Sequence, residues 1–377
     1  MTVRELLRYF LRLGATGFGG PIALVGFMQR DLVEARGWFT EEEYRDGLAL
    51  SQLAPGPLAA QLAMYLGWVR GGVTGAALVG LAFVLPSFVM VLVLAAGYVR
   101  FGGLPWMQGA FYGIGAAVIA VIARSAARLT RLTLGRDVLL WGLATASAAV
   151  TAWTESEIVW VFLAAGAVGV LIRGGVFTPR RASAVGLALP AGMLTGLGGP
   201  APVETLWRIA WYFTEAGAFV FGSGLAIVPF LHGGVVREFG WLTERQFLDA
   251  VAVAMITPGP VVITVAFIGY LVAGPAGAIV AAIATFTPCY VLTVVPAPHF
   301  RRWSRNRAVR AFIDGVSAAA TGAIGGAAYV LGRRALVDGG AILIAIAAML
   351  VLWWFRKVPE PVVILVAGVV GITLAAG

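Results

Sequence analysis

Residues 37–57 read GWFTEEEYRDGLALSQLAPGP, and residues 240–260 read GWLTERQFLDAVAVAMITPGP. The two copies align without a gap at an offset of 203 residues, and the alignment runs back to Gly14 with 17 identities in 44 positions. Gly14-Ala15 falls on Gly217-Ala218, Phe18-Gly19 on Phe221-Gly222, and Phe27 on Phe230. Self-similarity over such a length marks an internal duplication.

The duplicated stretch reads as a broken apolar helix. Thr40 followed by Glu43, and Thr243 followed by Gln246, form capping boxes, so a helix starts in each copy. From Gly47 to Val69 the chain is apolar for 23 residues. That is roughly 34 Å of helix, enough for a hydrocarbon core of about 30 Å. Pro55-Gly56-Pro57 stands near the middle of this run, and neither proline can donate a hydrogen bond. The helix must open there, and Pro57 suits the first position of a second half-helix. Free N–H groups are then expected on Leu58 to Ala60, and on Val261 to Ile263 after Pro258-Gly259-Pro260. Opened backbone at membrane depth is tolerated only where protein buries it or it lines a cavity. Paired half-helix N-termini there form an anion site; a proline kink without a ligand is the plainer alternative.

Composition sets the class. The chain has 377 residues, 60% of them hydrophobic and 12% charged, with a mean hydropathy of +0.91. Soluble domains carry about 25% charged residues, so an all-α polytopic membrane protein is expected. The net charge of +9 comes from 26 arginines and Lys357. These charges lie scattered between apolar spans, which points to the lipid bilayer and not to nucleic acid as partner. The N-terminus lacks a clean apolar core with a cleavage site, so no cleaved signal is expected. Cys289, the only cysteine, excludes an intrachain disulfide, a thiolate metal cluster and dithiol redox chemistry. With His232 and His299 the only histidines and Lys357 in a loop, neither a metal site nor an intramembrane enzyme is expected. No GxxxxGK loop is present, so ATP is not the direct energy source. No cofactor is expected.

Apolar segments follow in the same order twice, giving a first repeat over 1–182, a linker over 183–202 and a second repeat over 203–377. Leu6 to Met28 is interrupted at Gly17-Phe18-Gly19-Gly20-Pro21 and reads as another opened helix. Beyond the duplicated motif the register slips by one, so that Gly72 matches Gly274, Gly75 matches Gly277 and Pro86 matches Pro288. Loop charge orients the halves. If the basic loops 124–136 and 173–181 are cytoplasmic, a linker that crosses the membrane places Arg301, Arg302, Arg305, Arg307, Arg310, Arg356 and Lys357 there too. Only Arg333-Arg334 then violate the rule. The halves are therefore expected to form an inverted-topology repeat with broken helices at mid-membrane, as in many secondary transporters, whether the broken segments span the bilayer or both members of each pair re-enter as hairpins.

Phe18-Gly19-Gly20-Pro21, the Gly-Trp pair before an acidic amphipathic turn, the paired Pro-Gly-Pro and the later Thr287-Pro288-Cys289-Tyr290 and Phe312-Ile313-Asp314-Gly315 resemble the chromate ion transporter family in its two-domain form. The resemblance covers nearly the whole chain. It implies two oppositely oriented halves and export of chromate, a tetrahedral dianion similar to sulfate, across the cytoplasmic membrane, driven by protons or by anion exchange. Sulfate or another anion on the same fold is the alternative. This chain departs from the family at Ser223, where glycine is usual, and carries Met255 where its own first copy has Gln52.

A dianion needs donors and positive potential. Gly19, Gly20, Gly222 and Gly224 let backbone approach a ligand, and Gln52, Gln61, Ser223 and Thr264 offer side-chain hydrogen bonds. Tight helix packing and interhelical hydrogen bonds are the respective alternatives. Arg12 and Glu215 occupy equivalent positions; an arginine can hold an oxyanion and a membrane glutamate a proton, or both snorkel to the interface. The equivalent pair Asp46 and Asp249 reads as helix-start acids or as proton carriers. His232, beside two glycines, is expected at the surface. Oligomeric state stays open, with a homodimer as one expectation.

Overall fold

The computed structural model describes residues 2–18, 20–101, 104–154, 159–173, 203–219, 227–300, 306–336, 338–355 and 358–375. Fourteen α-helices and no strand occur among them. The first half holds α1 (Val3–Thr16), α2 (Gly20–Met28) prolonged by a π-helical stretch to Ala35, α3 (Glu41–Leu53), α4 (Leu58–Phe101), α5 (Pro105–Leu134), α6 (Val138–Thr154) and α7 (Val159–Arg173). The second repeats the order with α8 (Val203–Phe219), α9 (Ile227–His232) with a π-helical stretch to Glu238, α10 (Glu244–Ile256) and α11 (Thr264–Val294). It ends with α12 (Arg307–Ala335), α13 (Gly339–Trp354) and α14 (Glu360–Ala375). Both expected capping boxes form: Thr40 accepts from the N–H of Glu43, Thr243 from that of Gln246, and each N3 side chain bonds back. Each such cap contributes about 1 kcal/mol.

At each opened stretch the chain does more than kink. It reverses. Gly47 on α3 faces Tyr65 and Leu62 on α4, so close that a Cβ at Gly47 would lie 2.3 Å from the Tyr65 ring. Arg70 returns to the start of α3, bonding the Trp38 carbonyl and Glu43. Residues 41–70 are therefore a re-entrant hairpin with Pro55-Gly56-Pro57 at its tip, not a single crossing. Because α3 has 13 residues, about 20 Å of helix, each arm reaches only part-way through a bilayer. Helices α1 and α2 fold back similarly, with the Tyr9 hydroxyl donating to the Phe27 carbonyl at 3.3 Å. The equivalent bond in α8–α9 runs from Tyr212 to Phe230 at 2.7 Å.

A second reversal follows. Gly72 and Gly274 interrupt α4 and α11 with φ of 60° and 62°, a left-handed conformation that costs glycine little. Gly67 then closes on Gly75, and Gly269 on Gly277. The arm 73–101 departs as a true crossing. It lies beside α11 in the opposite direction: the carbonyl of Val73, at its start, accepts from the hydroxyl of Tyr290, near the end of α11. Repeat-equivalent helices running antiparallel make the two halves an inverted repeat.

Four helical segments among the described residues, two in each half, are long and apolar enough to cross a bilayer (Leu58–Phe101, Pro105–Arg131, Val261–His299 and Arg307–Ala335), and the shorter apolar helices α6, α7, α13 and α14 pack beside them. One face holds the Arg173–Asp137 and Arg124–Glu360 pairs. There the hydrogen bond from Arg173 keeps the Asp137 carboxyl below its ordinary range. The opposite face holds Tyr112–Asp338, Arg334–Glu244 and the bond from Arg245 to the Gln108 carbonyl. The outer helices exchange partners between halves. Helix α5 packs on α13 and α14, with Gly113 against Ala367 and Gly371 against Gly109. Helix α12 packs on α6 and α7, with Gly322 against Ala144 and Gly169 against Ala311. Small residues allow this close approach, where dispersion replaces the hydrophobic effect. The outer surface is apolar, with Leu81, Val93 and Ile283 exposed as lipid contact requires. This is a multi-pass membrane protein. The linker 183–202 lies outside the described residues.

Candidate functional site

Helix α4 starts at Leu58, with Pro57 just outside it. The N–H groups of Ala60 and Gln61 turn back to the Pro57 carbonyl at 2.9 and 3.0 Å. The helix itself therefore leaves Leu58 and Ala59 without an acceptor, one group fewer than the sequence suggests. In the second half a 3-10 turn, Val261–Ile263, precedes α11, and the Ile263 N–H bonds Pro260 at 3.0 Å. The sequence cannot display this tightening, because a 3-10 start and an α start share one residue pattern.

The hairpin tips meet across the repeat. The Gly259 N–H donates to the Gly17 carbonyl at 3.0 Å, which joins the second Pro-Gly-Pro to the tip of α1–α2. Ser87 supports the contact: its hydroxyl donates to the Gly14 carbonyl at 3.2 Å, and a Cβ on Gly259 would lie 1.9 Å from that hydroxyl. Cys289 is the repeat mate of Ser87, and its thiol faces the Gly217 carbonyl at 3.6 Å. Neither residue was a candidate by sequence. The signal was the match of Pro86 to Pro288, which sets Ser87 against Cys289.

A cleft of about 410 Å³ leads to this tip, lined by Arg12, Arg30, Arg36, Asp31, Thr16 and Gly17 among others. Arg30 holds Asp31 at 2.9 Å, while Arg36 stacks on Tyr9 and Trp38. All three arginines are exposed. At the offset of 203, Arg12 becomes Glu215, Arg30 becomes Gly233 and Arg36 becomes Phe239. Ala35 becomes Glu238, close enough to repel the carboxylate of Glu215. Arg12 and Glu215 are thus the one pair among these that exchanges positive for negative charge, while Arg30 and Arg36 have uncharged mates. Arg12 and Glu215 belong to separate hairpins.

The other candidates separate. Gln61 is fully buried, and its Nε2 donates to the Pro55 carbonyl at 2.6 Å. Gln52 is exposed just before the tip. Thr264 bonds its own turn at Val261. Asp46 lines a cavity of about 440 Å³ with Glu43, Tyr65 and His299. Asp249 is buried and accepts from the Tyr98 hydroxyl at 2.7 Å. Neither aspartate sits in the first turn, so helix starting falls to Thr40 and Thr243. His232 is not at the surface: it is buried and bonds Glu244 at 2.7 Å, because its π-helical stretch packs on the start of α10. Gly19, Gly222, Ser223 and Gly224 lie outside the described residues, and of Gly20 only the helical backbone is described. Among the described residues no cluster of His, Cys, Asp or Glu could hold a metal.

The family described as chromate transporter matches residues 4–170 and again 207–372. The chromate transport protein of Cupriavidus metallidurans is 56% identical over 376 residues, covering 98% of this chain and 93% of the relative. A probable chromate transport protein of Synechococcus elongatus is 56% identical, covering 98% and 95%. The chromate transport protein of Pseudomonas aeruginosa is 31% identical, covering 98% and 92%. No solved structure matches the chain.

Proposed function

The chain belongs to the chromate transporter family, and from that premise we propose that it is a secondary active transporter, not an enzyme, that exports chromate across the cytoplasmic membrane. The observation that carries this reading is the arginine-lined cleft ending on the Gly17 tip. An anion arriving on the face with Arg136 and Arg173, cytoplasmic by the charge rule, meets positive potential that concentrates it. It is handed to backbone donors around the tips, with Leu58 and Ala59 after Pro55-Gly56-Pro57 and Val261 and Val262 after Pro258-Gly259-Pro260. The second half presents Glu215 and Glu238 toward the opposite face, where like charge hastens release. Coupling is to protons or to a counter-anion, with a proton carried by Asp46, Glu215 or Asp249, or by the cargo.

Purified protein in proteoliposomes, given labelled chromate under pH gradients of either sign, tests this. Chromate should accumulate on the face opposite the cleft, and Arg12→Gln with Arg36→Gln should slow it about tenfold, equivalent to roughly 1.4 kcal/mol of lost attraction. Absence of chromate flux in every gradient would overturn the reading.

A further inference from the structure

Gln61 Oε1 is the one buried side-chain polar atom among the described residues that lacks a hydrogen-bond partner. Its amide orientation is fixed, because only Nε2 can donate to the Pro55 carbonyl. Helix side chains lean toward the N-terminus, so this amide lies over the tip. There a Cβ on Gly56 would stand 2.5 Å from Nε2. The start of α4 therefore offers two kinds of group: backbone N–H donors on Leu58 and Ala59, and one buried acceptor that demands a donor. A fully ionised oxyanion has acceptors only and leaves Oε1 unmatched, next to a negative oxygen.

We propose that this site binds the singly protonated oxyanion, whose hydroxyl donates to Gln61 Oε1 while its other oxygens accept from the α4 N-terminus. The inference rests on the oxyanion reading above and names the ionic form of the cargo. It also separates chromate from sulfate, which match in charge and shape. Chromate takes up a proton near neutral pH, whereas sulfate and selenate do so only in strong acid. A site that pairs an acceptor with donors rejects a ligand lacking the hydroxyl far better than apolar contacts can. The cargo then brings its own proton.

The test is equilibrium binding of labelled chromate, sulfate and selenate to the full chain in lipid nanodiscs, on both sides of chromate's protonation midpoint. Chromate affinity, referred to total chromate, should strengthen as pH falls through that midpoint, while sulfate and selenate stay weak and flat. Gln61→Met keeps every titratable group, so loss of the pH trend in that variant excludes titration of the protein as the cause. Gln61→Met should weaken chromate about tenfold on the acid side only. The wild-type profile needs no variant, so misfolding of Gln61→Met leaves the test intact. Chromate affinity that ignores pH, or selenate bound as tightly as chromate, would overturn the proposal and leave the oxyanion reading standing; water alone would then satisfy Oε1. No binding of any of the three anions removes both.

Discussion

A methyl group at Gly259 would stand 1.9 Å from the Ser87 hydroxyl, in a backbone with φ of 96° that alanine rarely adopts. Gly259→Ala should therefore unseat the second tip from Gly17 and cut chromate flux at least tenfold. Adding Ser87→Gly should restore part of it, since the clash goes and the strain stays. Wild-type flux in the single variant would mean that the tips do not need to dock. Asp249 makes a different point. Asparagine also accepts from the Tyr98 hydroxyl, and Thr243 caps the helix, so Asp249→Asn should keep both fold and chromate accumulation. Lost accumulation with retained counterflow would instead make Asp249 the proton carrier and count against a protonated cargo. Tyr98→Phe strands the buried carboxylate and should lower thermal stability, by about 1–3 kcal/mol. Of these residues the sequence made the aspartates visible by their repeat. It hid Ser87, which no polar pattern distinguishes from a packing serine.

Among the elements, helix starts were legible because a capping box is local chemistry, and the break was legible because proline is. The reversal was not. An apolar run of 23 residues satisfies one crossing and a hairpin equally well by length and hydropathy. What decides is Gly47 lying against Tyr65, a contact between two arms that no window along the chain contains. Replacing Pro55-Gly56-Pro57 by three alanines tests the turn itself. Alanine favours one continuous helix, which would part Gly47 from Tyr65 and carry Arg70 away from Glu43. Purified variant should elute as aggregate or melt well below wild type. A stable, monodisperse but inactive variant would mean that the turn serves the ligand alone.

For the whole molecule, counting arginines in loops was enough to predict opposed halves, because the membrane reads those charges without needing the packing. The structure adds antiparallel mates: the arm 73–101 runs against α11, its repeat equivalent, so the equivalent connectors that carry Arg36 and Arg245 lie at opposite ends of the molecule. Single cysteines at Arg36 and Arg245, on a Cys289→Ala background, should react with an impermeant thiol reagent from opposite sides; labelling of both from one side sinks the inverted repeat. The exchange of outer helices was invisible, since the glycine-rich faces of α5 and α12 name no partner. It has a consequence in time. Helix α5 leaves the ribosome long before α13 and α14 exist, so Gly109 and Gly113 go without these partners until residues 339–375 follow. Synthesis order thus makes α14 the clasp: a chain stopped before Glu360 would leave α5 without its main partner, and the two halves are expected to mature together.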